Sequence, residues 1–301
     1  MDRRISLIPF KNILSLSYMR RKIFLWIVFF GMTPIIILYF NTYYNWKFEH
    51  AAWLLGSYFC MVWGINFYIL IRPRFALWST GIAYAMFTAF LGVPLLLAMQ
   101  QLGLINALYE ITSSNVYIFR VIGFVFGVGL LEETCKFLPV GLFGIRRNKI
   151  RDLREAMYLG AMSGLGFALA EAVHYTLMYW QNGAIISLSE AYQKIQDPNS
   201  LISTLTDYYG SLVMIQLVRF MTLPLFHAMW CGIVSWFAMS GKLYGGKRRS
   251  IVVIGIFFMA AMHGFYDIYS GNIIGIIISF ITIMIFMGYL NYSQKLDYGR
   301  E

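Results

Sequence analysis

Glu132, Glu133, Lys136, Glu171, His227, His263 and Asp267 are the side chains of this sequence whose types and spacing suit acid–base or metal chemistry. The first three lie in the run Glu132-Glu133-Thr134-Cys135-Lys136. On a helix, Lys136 is one turn from either glutamate and can reach both. Two neighbouring carboxylates in a low dielectric do not both ionise readily, so one is expected to hold a proton while the other pairs with Lys136. That is the arrangement of a general base beside a structural acid. His263 and Asp267 are spaced i,i+4 and share a helix face, with Tyr266 beside them. His227 follows Pro224 by one turn, and Glu171 has Phe167 one turn before it and His174 and Tyr175 one turn after. Two histidines with a carboxylate can hold a divalent metal and leave a position open for water. The same groups without a metal allow a glutamate to activate water while a histidine stabilises the oxyanion. No His-Glu-x-x-His helix is present to force zinc, so both versions stay open. Glu171 and His174 also make the Glu-x-x-His spacing of di-iron bundles, but only one copy occurs, and packing is the plainer role for His174.

The elements that carry these residues are membrane spans. Apolar residues make up 59% of the chain and charged residues 13%, about half the charged fraction of a soluble domain. Runs of roughly 20 apolar residues, the length a helix needs to cross about 30 Å of hydrocarbon, fall near 23–40, 52–71, 76–99, 116–143, 156–180, 209–240, 251–270 and 273–290. The runs are too long for strands and do not alternate. The expected fold is therefore all-α: a polytopic transmembrane helical bundle of about eight spans in a single membrane domain. Residues 1–115 would hold three accessory spans, 116–270 a four-helix core, and 273–290 a final span. Counted from the basic ends of these spans, Glu132, Glu171, His227, His263 and Asp267 fall within roughly two turns of one depth. A charged group at the bilayer centre costs at least about 2.5–3.5 kcal/mol, so such a coincidence points to a shared site. Arg120, near a span end, is expected to snorkel, and Arg219 to pair with a carboxylate or carbonyl. Cys60, Cys135 and Cys231 fall inside spans and read as small buried hydrophobes without a disulfide. The stretch 181–208 reads as a long outward connector, with an interfacial helix as the alternative.

In this order the motifs Glu132-Glu133-x-x-Lys136, Phe167-x-x-x-Glu171, His227 and His263-x-x-x-Asp267 resemble those of the PrsW family of intramembrane proteases. The resemblance covers about residues 116–270. It departs at Leu223, where the family pattern has phenylalanine, and at His174, where a neutral residue is expected. It extends to the wider superfamily of prenyl-protein proteases and bacteriocin-immunity proteins. It implies a peptidase that cuts membrane-anchored regulatory proteins of the anti-sigma-factor type, with a single-span protein as substrate, in the bacterial cytoplasmic membrane. Glu132 and Glu133 would be the water-activating acid and base, with Glu171, His227, His263 and Asp267 completing the site and Lys136 tuning the glutamates. Because such enzymes are classed with metalloproteases, Zn²⁺ or another divalent metal on His227, His263 and Asp267 is the favoured version.

Two other readings of the buried charge remain. A proton-coupled transporter needs such a relay, but no internal repeat is visible. A non-enzymatic scaffold or immunity protein would keep the polar core for packing alone. Nucleic-acid binding is excluded, because the net charge of +10 is scattered over short loops rather than gathered on a soluble surface. Those loops instead give the orientation. Basic groups before the first span, at Arg72 and Arg74, between Arg146 and Arg154, between Lys242 and Arg249, and at Lys295 and Arg300 all fall on one side of an eight-span chain; the opposite loops hold only Lys47 and Lys194. Both termini are then cytoplasmic. Reporters that are active only in the cytoplasm are expected to work at either terminus, and an inactive reporter at one end alone would break the eight-span alternation.

Overall fold

Chain in lipid must satisfy its backbone polar groups internally, and every long apolar run described here does so as helix. The structure is a computed structural model that describes residues 48–193, 198–243 and 248–298 with Met32, Thr33 and Ile36. Its helices are α1 Phe48–Ile71, α2 Trp78–Phe87, α3 Val93–Met99, α4 Gly103–Glu110, α5 Tyr117–Ile122, α6 Leu130–Pro139, α7 Leu153–Gln193, α8 Pro198–Leu243, α9 Arg248–Tyr269 and α10 Ile273–Tyr298. Among the described residues there is no strand, as the all-α expectation requires.

Six stretches are long and apolar enough to span: Glu49–Ile71, Trp78–Met99 (through a π-helical turn at Thr88–Gly92), Leu153–Met178, Val218–Leu243, Ser250–Tyr269 and Ile273–Leu296. The expected span at 23–40 lies almost wholly outside the described residues. The one expected at 116–143 is helical from end to end but not regular. Helices α5 and α6 are joined by a π-helical stretch, Gly123–Gly129, and α6 runs into a second, Val140–Ile145. Pro139 offers no backbone N–H, so the hydrogen-bond ladder must shift there. The long connector expected at 181–208 is a correction. Helix α7 continues to Gln193 and α8 begins at Pro198. Nothing between Leu153 and Gln193 breaks a helix, and proline is tolerated in the first turn because its missing donor would be an orphan anyway.

Helix α7 is the central post. Its span is 89% buried, that of α8 is 72%, and the other four are only 22–33% buried. It packs most extensively on α8, then on α1 and α2. The peripheral helices turn large apolar side chains outward, as Ile276, Phe280 and Met284 do on α10, which is the pattern of a lipid-facing belt. Close approach of α7 to α8 depends on missing side chains. A Cβ at Gly160 would run into Ser235 and the Cys231 carbonyl, and one at Gly164 into the His227 carbonyl. Gly164→Val is therefore expected to cost about 3 kcal/mol by overpacking. Gly288→Val, in open space on α10, should leave thermal unfolding of the detergent-solubilised protein unchanged.

Candidate active site

Four helices bring the ionisable residues together, each by a local device. α6 carries Glu132, Glu133 and Lys136 on one face. The start of α6 is held against α9, because a Cβ at Gly129 would meet the Ala260 carbonyl; one turn beyond Ala260, this puts His263 beside the glutamates. α7 supplies Phe167 and Glu171, and α8 supplies His227 across the Gly164 contact. From α7, the Ser163 hydroxyl donates to the Lys136 carbonyl of α6 at 2.6 Å and lies 2.5 Å from the Thr88 hydroxyl. It braces the backbone just before Pro139.

The charges form one connected set. Lys136 Nζ lies 3.1 Å from Glu132 Oε2 and 2.8 Å from Glu133 Oε1. Glu133 Oε1 also meets His263 Nδ1 at 3.0 Å. Since that carboxylate can only accept, Nδ1 carries the proton and Nε2 presents its lone pair. His263 Nε2 faces Asp267 Oδ2 at 3.4 Å and Glu132 Oε2 at 3.6 Å. His227 Nε2 and Glu171 Oε2 are 3.1 Å apart but are not aligned as a hydrogen bond; neither atom, nor His227 Nδ1, has a hydrogen-bond partner. Aromatic rings wall the set. Trp230 stacks on His263 at 4.4 Å, Phe167 on His227 at 5.6 Å, and the ammonium of Lys136 lies 4.5 Å from the centre of the Phe167 ring.

Donor atoms of Glu132, His227 and His263, all buried, lie within 4.8 Å of one another. Two nitrogens and an oxygen suit zinc. A fully buried imidazole with both nitrogens unpartnered is costly unless something completes it, so the residues present fit a divalent ion. Glu133 behind His263 is the carboxylate that orients such a ligand. Asp267 stands against His263 rather than in this group of three.

A cavity of about 850 Å³ reaches this set. Glu132, Glu171 and Asp267 line it, with Phe167, Tyr175 and Arg219 on its walls. Glu133 does not line it and is fully buried behind. Part of the cavity's other lining, including Gln100, Thr112 and Ser270, comes from the helix ends remote from the basic loops. His174 also lines it but is exposed and touches only Tyr175 among the rings. The guanidinium of Arg219 lies over the Tyr175 ring at 4.5 Å, and Arg120 is half-buried in the last turn of α5. Sequence reasoning missed Trp230, although its place one turn after His227 was a usable signal. It also missed Tyr109 and Gln100, which lie outside the spans and gave none.

A family model described as PrsW family intramembrane metalloprotease matches residues 76–290. No curated protein and no solved structure matches the chain.

Lys136 balances two carboxylates where no water can. Lys136→Met is expected to destabilise the protein by about 3–5 kcal/mol, because it strands buried charge. Adding Glu132→Gln and Glu133→Gln to it should recover most of that loss, as read by chemical denaturation in micelles.

Proposed function

The chain belongs to the PrsW family of intramembrane metalloproteases, and from that premise we propose how its buried charges cut a peptide bond. The protein is an integral membrane hydrolase. We read its substrate as a single-span, membrane-anchored regulatory protein of the anti-sigma-factor type, cut in a bacterial cytoplasmic membrane with both termini of the enzyme inside. The chain acts as one membrane domain whose charged core lies within 116–270. The observation that carries the reading is the convergence of donor atoms of Glu132, His227 and His263, with Glu132 on the cavity and neither nitrogen of His227 hydrogen-bonded.

In this reading Glu132, His227 and His263 would hold a divalent ion, zinc by its donor set, which when bound supplies Lewis-acid polarisation of water and of the scissile carbonyl. The remaining steps belong to side chains. Glu133 accepts from His263 Nδ1 and so keeps Nε2 aimed at the site. Lys136 fixes both glutamates and is a positioning residue. Glu171, on the cavity wall with Oε2 free of hydrogen bonds and 3.1 Å from His227 Nε2, takes the proton of the attacking water and returns it to the leaving nitrogen. Asp267 offers a further acceptor at the same wall. Phe167 and Trp230 exclude bulk water, which strengthens each of these interactions.

Reconstituted with single-span reporter substrates in proteoliposomes, the wild-type protein is expected to cut, to lose activity to a chelator and to regain it with zinc. His227→Ala should lose both metal and activity. Glu171→Gln should keep its metal and lose about 10²–10⁴-fold in kcat. Glu133→Gln should weaken metal affinity by about 10–100-fold. A proton-coupled flux without any cleavage would make the charged cluster a transport relay. Retention of cellular function by the Glu132→Gln, Glu133→Gln variant would make the protein a scaffold.

A further inference from the structure

One wall of the cavity does not come from a span. Helix α4 and the 3₁₀ turn Ile111–Ser113 sit where the sequence suggested only a link between spans. They lie tight against the first π-helical stretch. A Cβ at Gly123 would meet backbone atoms of Thr112 and Leu108, and one at Gly127 the backbone and Cβ of Leu108. The outer side of this segment exposes Leu104 to 79%. Tyr109, from its last turn, lines the same cavity as Glu132 and Glu171.

The phenol of Tyr109 is the unexplained group there. Its hydroxyl is buried and has no hydrogen-bond partner by distance and angle, although the Gln100 side chain on the same wall is near enough to interact with it; a buried group so poorly satisfied calls for a reason. Other hydroxyls on the wall are committed: those of Thr112, Thr222 and Ser270 donate to the carbonyls of Tyr109, Val218 and Asp267. Burial, reinforced by the charge of Glu132, raises the Tyr109 pKa above the ordinary phenol value, so the group remains an O–H donor at neutral pH. Glu132, Glu171 and Asp267 place three carboxyl groups on the cavity, and a carbonyl oxygen gaining charge beside them needs a preorganised hydrogen bond.

We propose that Tyr109 is a catalytic residue of this peptidase, its O–H donating to the scissile carbonyl oxygen as that oxygen becomes negative. The proposal rests on the functional reading above. Water oxygen bonds to the carbonyl carbon, the π pair moves onto the carbonyl oxygen, and the water proton passes to Glu171. On collapse that pair re-forms the carbonyl, the C–N bond breaks, and the nitrogen takes the proton from Glu171. Tyr109 keeps its own proton throughout.

The test compares wild type, Tyr109→Phe and Glu171→Gln in proteoliposomes, using single-span reporter peptides with a fluorophore and quencher flanking the outer half of the span. Tyr109→Phe is expected to lower kcat by about 10²–10³-fold, with KM within twofold and thermal unfolding unchanged. Wild-type kcat in Tyr109→Phe would overturn the proposal while leaving the protease reading intact. Full activity of Glu171→Gln, or no cleavage by wild type across the reporters, would overturn the functional reading and this proposal with it.

Discussion

An ammonium held between two carboxylates, with no water to share the load, is the constraint around which this bundle is organised. Lys136 is fully buried and bonds both Glu132 and Glu133. In a medium where an isolated ion is so costly, the three side chains must be placed together or not at all. Their spacing on one helix does that before any tertiary contact forms. Charge compensation then decides what may stand nearby. His263 satisfies the second demand on Glu133 Oε1, and aromatic faces, rather than further charges, complete the wall. Glu132 is left with one edge on the cavity and the other on the lysine, so a group that can reach substrate is steadied by one that cannot.

The burial pattern follows from the same requirement. A site of this polarity has to be wrapped on every side except its mouth, and the most buried helices, α7 and α8, are those that lie behind it. Glycines at the crossings let α7 reach α8, and α6 reach α9, at backbone distance. Helix spacing is thereby set by main chain rather than by compressible side chains. The histidines borrow that precision: His227 sits at the Gly164 contact, and His263 one turn beyond the Gly129 contact.

Much of this could be read from the residues. The ionisable groups stood out because lipid makes them expensive, and their common depth followed from counting along apolar runs. Their local pairings, Lys136 with the two glutamates and His263 with Asp267, were fixed by helical spacing alone. What sequence could not supply was the order of the groups in space. Glu132 and Glu133 are adjacent in the chain, yet one lines the cavity and the other lies behind His263. That division depends on how α9 crosses α6, which no local pattern encodes. The connector expected at 181–208 was misplaced because the end of an apolar run was taken for the end of a helix. Helices stop where a breaker or cap stops them, and here that is close to Asp197-Pro198. Tyr109 was out of reach because nothing in residues 100–115 distinguishes a plate packed on Gly123 and Gly127 from an ordinary link.

The two π-helical stretches that flank α6 bear on how this protein could vary through descent. A π turn holds one residue more than the α turn it replaces, and the helix on either side keeps its own facing. Such a stretch is a slot in which a residue can be gained or lost without turning the neighbouring segments. Members of this lineage are thus free to differ in length between Arg120 and Glu132, or between Pro139 and Arg146, and still present the two glutamates and the lysine together. A sequence comparison that forbids gaps inside a membrane span would slide that motif out of register by a residue wherever such a length difference occurs.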